Sequence, residues 1–331
     1  MTGPMERVGL GATRAWTTPV GFGGASIGNL YRETSDAEAA GAVEAAWEAG
    51  VRSFDTAPHY GLGLSERRLG EALARYSREE FQVSTKVGRL LVSNPAPRGR
   101  DEGFAVPDTL AREWDFTLEG VRRSLEGSLE RLGLDRIDTV FVHDPDAAYA
   151  GAAREGLEAL AVLKAEGLVA AVGVGTNQSA GLAELLGDGL IDVVMLAGRY
   201  TLLEQGALDD VLEPARRAGA SVIAVAVYNS GLLAAARPPV DATYDYMPAP
   251  VELLGRANRL ADACERHGVS LPEAALAFPL LHDAVAGVAL GMRNAEQVRE
   301  NIRRFAAEVP AGLWRELVDE GLVDPRAVGL A

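Results

Sequence analysis

The sequence predicts an α/β protein, a (β/α)8 TIM barrel with long βα loops after the third and seventh strands and an extra C-terminal helix. Three observations predict it. Short β-branched runs alternate with amphipathic runs along almost the whole chain, as parallel strands joined by crossover helices require. The alternation repeats about every 35 residues. The open doubly wound sheet would carry a G-x-G-x-x-G after its first strand, and here Gly21-Phe22-Gly23-Gly24 is only a glycine-rich strand end.

Taken in order, the strands fall at 20–23, 51–55, 82–86, 139–143, 171–174, 193–196, 221–227 and 285–290. Helical periodicity fills 35–49, 65–75, 117–132, 156–166, 205–217, 251–267 and 295–305 between them. Ser35 and Asp36 stand where an N-cap belongs, Ala49-Gly50 ends the same helix, and Asn294 precedes an apolar periodicity with Gln297 three residues on. A further helix is expected over 311–322, and the barrel is expected to account for all of 1–331 as one domain. Two segments interrupt the rhythm, 88–116 and 230–250. Their Pro, Gly and Arg, with Trp114, Tyr244 and Tyr246, suit lids on the face where barrels hold substrates.

The formal net charge of -15 disfavours phosphate backbones and anionic membranes as partners, because both are bound through clustered Lys and Arg. No run approaches the roughly 18 apolar residues of a membrane span, and residues 1–15 lack the apolar centre of a signal peptide. The lone Cys264 can form no internal disulfide and lies in an Ala/Leu-rich helical pattern, so it reads as packing in a reducing compartment. The expectation is a cytoplasmic protein acting on a small molecule.

Chemistry concentrates at three strand ends. Phe54-Asp55-Thr56-Ala57-Pro58-His59-Tyr60-Gly61 runs from a strand into a loop with a carboxylate and a phenol, Val83-Ser84-Thr85-Lys86 ends in a lysine, and Val140-Phe141-Val142-His143 ends in a histidine. In a barrel the C-terminal ends of neighbouring strands converge on one mouth, and an ionisable group there is costly unless paired. Singly, Asp55 could cap a turn, Lys86 could be a solvated strand end and His143 a satisfied loop residue. Together they point to Asp55, Tyr60, Lys86 and His143 as a catalytic set, with His59 read as a loop contact. The other histidines, His267 and His282, offer no metal-ligand spacing with these.

The order Asp-x-x-x-x-Tyr, then Lys, then His at successive strand ends resembles the aldo-keto reductase family. The resemblance spans the chain and includes Gly173-Val174-Gly175-Thr176-Asn177, Tyr200-Thr201-Leu202-Leu203, Gly231-Leu232-Leu233 and Gln297-Val298-Arg299-Glu300-Asn301. Gly61-Leu62-Gly63-Leu64-Ser65-Glu66 is most similar to the branch containing aldose 1-dehydrogenases and pyridoxal 4-dehydrogenase. The resemblance implies NAD or NADP as cofactor and oxidation of a fucose-like aldose at C1 to its lactone, with broad aldehyde and ketone reduction or pyridoxal 4-dehydrogenation as the alternative enzyme readings. A redox-inactive regulatory barrel is a third reading, against which the intact tetrad argues.

The proposed acid/base chemistry needs each member. A phenol with a pKa near ~10 suits neutral pH poorly, so an ammonium at Lys86 is expected to favour the phenolate, Asp55 to hold that ammonium, and His143 to orient the substrate oxygen. The resemblance assigns Asn177, Glu300 and Asn301 to the dinucleotide, and position in the same stretches adds Gly175, Tyr200, Gly231, Gly291, Arg293 and Gln297 to it and Trp114 and Tyr228 to the substrate, as expectations. Free N–H groups near Asn294 can receive phosphate oxygens. Ala197 and Val225 replace a glutamine and an aromatic that many members place beside the nicotinamide, leaving Tyr200 or Tyr228 as stacking candidates. Gly291 and Gln297 replace the Lys and Arg of NADP-preferring members, and Arg293 is the remaining cation expected to reach a 2′-phosphate.

Overall fold

A computed structural model describes residues 6–239, 241–245 and 247–330. Eight parallel strands close into a barrel: β1 (Val20–Gly23), β2 (Ser53–Asp55), β3 (Gln82–Val87), β4 (Thr139–His143), β5 (Ala171–Thr176), β6 (Val193–Ala197), β7 (Ser221–Val225) and β8 (Val285–Gly291). Closure is made by β8 against β1, with Gly291 opposite Gly23. The eight expected strands are all present. The seventh stops at Val225 instead of 227 because Ala226 turns left-handed at φ 54, which an extended strand cannot contain.

Outside the barrel run α1 (Asp36–Glu48), α2 (Leu64–Leu73), α3 (Leu118–Leu132), α4 (Ala152–Ala165), α5 (Leu182–Gly187), α6 (Glu213–Ala218), α7 (Val251–Arg266), α8 (Leu271–Ala277), α9 (Ala295–Phe305) and α10 (Ala311–Asp319). The first is capped as its sequence dictates: the Ser35 side chain accepts from the Glu38 N–H, and Glu38 accepts from the Ser35 N–H. The sixth helix is entered through a π turn over Leu208–Leu212, immediately before Pro214. The Ala, Leu and Val faces of these helices pack on the outward side chains of the strands to form the main core. Cys264 is buried there, in α7. Inside the barrel Phe141, Val193, Met195, Ile223 and Ala289 form a second cluster with Leu10 and Ala15, from the short hairpin of Val8–Gly9 and Trp16–Thr17.

The two long loops carry structure of their own. In 88–116, Arg89–Ser93 and Leu110–Trp114 pair as an antiparallel ribbon, with Arg89 opposite Trp114. In 230–250, Thr243–Tyr244 pairs with Met247–Pro248. Tyr246 lies outside the described residues. No helix among the described residues is long and apolar enough to cross a membrane.

Candidate active site

The loop after β2 is wound tightly enough to fix Tyr60. Residues Gly61, Leu62 and Gly63 all have positive φ (63, 52 and 83), and a Cβ on Gly61 would stand 2.2 Å from the Gly28 carbonyl oxygen. The turn is closed by Gly63 N–H to Pro58 O (2.8 Å) and Ser65 N–H to Tyr60 O (3.2 Å), while the Ser65 hydroxyl reaches Gly24 O at 2.8 Å. Glycines at 28 and 61 therefore let the first and second βα loops cross in contact directly beneath the Tyr60 backbone.

Beside it the Lys86 ammonium donates to Asp55 Oδ2 at 2.6 Å and to the Thr56 carbonyl at 3.0 Å, and lies 4.7 Å from the centroid of the Tyr60 ring. Ser84 Oγ donates to the other Asp55 oxygen at 2.7 Å. Lys86 and Asp55 are 3% and 7% exposed, so the pair is withdrawn from water and its attraction is little screened. Burial works against the Lys86 charge, but Asp55 and the Tyr60 oxygen outweigh it and raise the lysine pKa. Burial likewise raises the Asp55 pKa against the pull of Lys86.

At Tyr60 the expected pull of Lys86 toward the phenolate is present but is outweighed. Burial raises its pKa, Lys86 lowers it, and burial wins, so the free site holds a protonated phenol. His143 stands edge-on to that ring, with centroids 5.8 Å apart at 89°. Burial and the cations Arg89 and Lys86 hold its pKa well below the ordinary imidazole value, so the ring is neutral. Its Nδ1 is buried without a partner, and Nε2 lies 3.5 Å from Asp144 Oδ2.

These residues converge on a cavity of about 590 Å³ lined by His59, Tyr60, Lys86, Phe104, His143 and Asp144, among others. A groove of about 340 Å³ adjoins it through shared walls at Leu30, Tyr31, Asn177, Ala197 and Ala226, and continues along Tyr228, Asn229, Gly231, Tyr244 and Gly291. Gly175 lies in the cavity wall, above Lys86. Asn229 Oδ1 is buried on this groove without a hydrogen-bond partner, an acceptor free for a polar ligand.

Several predicted site residues are placed elsewhere. Tyr200 is 1% exposed and packs on Phe278 and His282, 5.4 and 5.8 Å between centroids, so it faces the core instead of the groove. Trp114 is 43% exposed and stacks on Phe116; its partner across the ribbon, Arg89, takes the inner position, donating to Asp144 at 2.6 Å and to His59 Nε2 at 3.3 Å. Tyr228 lines the groove, not the larger cavity, and its hydroxyl donates to Asn301 Oδ1 at 2.8 Å. Glu300 pairs with Arg303 and Arg304, and Gln297 Oε1 accepts from the Arg293 N–H at 2.8 Å.

Arg293 is the largest departure. It is 7% exposed, and its guanidinium donates to the carbonyls of Ser26, Leu30 and Arg32 and to the Thr34 hydroxyl. With its donors turned to the first βα loop, it is a clamp and not a free phosphate ligand.

The cavity is roofed by His59, read from the sequence as a loop contact, together with Phe104 and Arg112, which sequence reasoning did not single out. His59 is wedged among Phe104, His143 and Tyr60 at centroid separations of 5.2, 5.4 and 6.1 Å, and burial with Arg89 and Arg112 pushes its pKa down to about 3. Arg112 donates to Asp101 at 2.5 Å and to the His59 carbonyl at 3.0 Å. The unusual arginine content of 88–116 was the available signal, but which arginine turns inward depends on ribbon register.

The model of the Aldo/keto reductase family matches residues 19–318. The chain is 47% identical over 313 residues to a D-threo-aldose 1-dehydrogenase from Pseudomonas sp, covering 92% of this chain and 94% of that protein. It is 36% identical over 337 residues to a pyridoxal 4-dehydrogenase from Microbacterium luteolum, covering 96% and 98%. Among solved structures, an aldo-keto reductase from Bacillus halodurans in its holo form superposes with a TM-score of 0.78 at 25% identity, covering 97% of each chain.

Proposed function

Since the chain belongs to the Aldo/keto reductase family, whose members are nicotinamide-dependent oxidoreductases, we propose that it oxidises an aldose at C1 to the lactone with Tyr60 as acid/base. The carrying observation is the placement of the Tyr60 ring in one cavity between the paired ammonium of Lys86 and the neutral ring of His143. The 47% identity to the Pseudomonas aldose dehydrogenase supports the aldose as substrate class.

The groove along Asn177, Asn229, Gly231 and Gly291 suits a dinucleotide: it meets the cavity, its walls are rich in Gly and Ala, and it presents the unpartnered Asn229 oxygen. Asn177 and Gly175 would hold the nicotinamide end, and the first turn of α9 with Glu300 and Asn301 the adenosine end. A bound nicotinamide would supply the hydride acceptor that oxidation at C1 requires.

In oxidation the competent form is the Tyr60 phenolate, whose Oη accepts the proton of the C1 hydroxyl as its carbon is oxidised. Lys86 lowers the cost of the negative charge on that oxygen, and Asp55 fixes Lys86 at the point where it does so. His143, being neutral, can donate one hydrogen bond to the reacting oxygen without competing for its proton. In reduction the same phenol returns the proton. A nicotinamide-absorbance assay over a panel of sugars and aldehydes tests the reading. Fast oxidation of aldoses supports it, and activity confined to aldehyde reduction would replace it.

For the dinucleotide, Gly291 and Gln297 supply no charge and Arg293 is engaged by the first βα loop. A 2′-phosphate is therefore not favoured by these residues, and NAD is at least as good a cofactor as NADP.

A further inference from the structure

The roof of the cavity is tied across the mouth. Tyr31 N–H donates to Gly103 O at 3.3 Å, Ala105 N–H to Asn29 O at 2.8 Å, and Leu30 bridges Phe104. Asp101 closes the turn between them by accepting from the N–H groups of Gly103 and Phe104 at 3.2 and 3.0 Å, besides the guanidinium of Arg112. Phe104, 4% exposed, is locked against His59 and Tyr60. Glu102 sits at the tip of this turn, exposed at the rim of the cavity that it helps to line, on backbone that both neighbours hold in place.

The charges around the mouth cancel in pairs. Lys86 is matched by Asp55 at 2.6 Å, Arg89 by Asp144 at 2.6 Å and Arg112 by Asp101 at 2.5 Å. The two lining histidines are neutral. Among the described residues that line the cavity, Glu102 alone carries a charge with no hydrogen-bond or ion-pair partner.

Resting on the aldose reading above, we propose that Glu102 is a specificity-determining residue that admits uncharged sugars and turns away phosphorylated and carboxylated ones. The carboxylate accepts hydrogen bonds from hydroxyls remote from C1, an arrangement that a neutral polyol satisfies. An anionic substituent in the same place meets a like charge, and Lys86, the cation among the described residues that line the cavity, is already paired with Asp55. The net charge of -15 on the whole chain adds to the same bias at long range.

The test compares kcat/KM for L-galactose, its 6-phosphate and L-galacturonate, all of which keep the pyranose ring, in the intact protein and in Glu102→Gln and Glu102→Asp. The wild type should favour the neutral sugar by about fivefold, as one water-exposed like charge at contact range implies. Glu102→Gln should narrow that gap by about fivefold through KM, raising it for the neutral sugar and lowering it for the two anionic ones, and Glu102→Asp should restore it. Added salt should narrow the gap in wild type and not in Glu102→Gln. An unchanged gap in Glu102→Gln would overturn the proposal. Failure of the wild type to oxidise any aldose would sink the aldose reading instead. The same comparison would then be made on reduction of 4-nitrobenzaldehyde and 4-carboxybenzaldehyde, where an equal gap in both proteins again overturns the role of Glu102.

Discussion

The guanidinium of Arg293 donates to the carbonyl oxygen of Leu30 at 2.7 Å, joining the loop after the last barrel strand to the loop after the first. Leu30 lines both the catalytic cavity and the adjoining groove, so this bond holds a wall that both share. Arg68 grips the same loop from the other side, through Ile27 O, Asn29 Oδ1 and Thr34 O.

Arg293→Ala should therefore weaken NAD and NADP alike and raise KM for the sugar, instead of acting on NADP alone. Several charge-assisted bonds to buried acceptors are lost, and unfolding free energy should fall by roughly 2–4 kcal/mol. Cofactor-fluorescence titrations and urea denaturation check both. A loss confined to NADP would return Arg293 to the 2′-phosphate.

Lys86→Met should abolish turnover and also destabilise the fold by about 3–5 kcal/mol, because Asp55 is left charged and buried with only Ser84 as partner. The double variant Asp55→Asn/Lys86→Met should regain most of that stability and none of the activity. Equal stability of the single and double variants would show that the pair is not coupled.

Tyr60→Phe should lower turnover by at least about a hundredfold while dinucleotide binding survives, since the ring that fills the cavity remains and only the proton site is removed. Stopped-flow turnover with parallel fluorescence titration separates the two quantities. Retention of a tenth of the rate would remove Tyr60 from the mechanism.

The pH dependence follows from the direction of the Tyr60 shift. Burial raises its pKa above the ordinary phenol value, so across neutral pH the group is protonated and the phenolate fraction grows as pH rises. Oxidation should climb through the neutral and mildly alkaline range without a plateau, and reduction should stay level there, because its acid form is already complete. Initial rates in both directions across buffers of constant ionic strength give the two profiles; a plateau of oxidation at neutral pH would contradict the raised pKa.

The order of strands and helices, the capped start of α1 and the four residues Asp55, Tyr60, Lys86 and His143 were legible in the sequence, because each is a local pattern: a β-branched run, a Ser-x-x-Glu box, a polar residue where a strand stops. Tertiary structure decided the direction in which Tyr60 titrates, since burial in the folded site outweighs the pull of Lys86. It also decided that Arg293 is a clamp, through acceptors some 260 positions away, that Tyr200 faces Phe278, and that Arg89 is the ribbon residue that reaches Asp144 in the cavity wall. Chain order determines which residues can stand at the mouth of a barrel, but the direction each side chain takes depends on contacts between loops far apart in sequence.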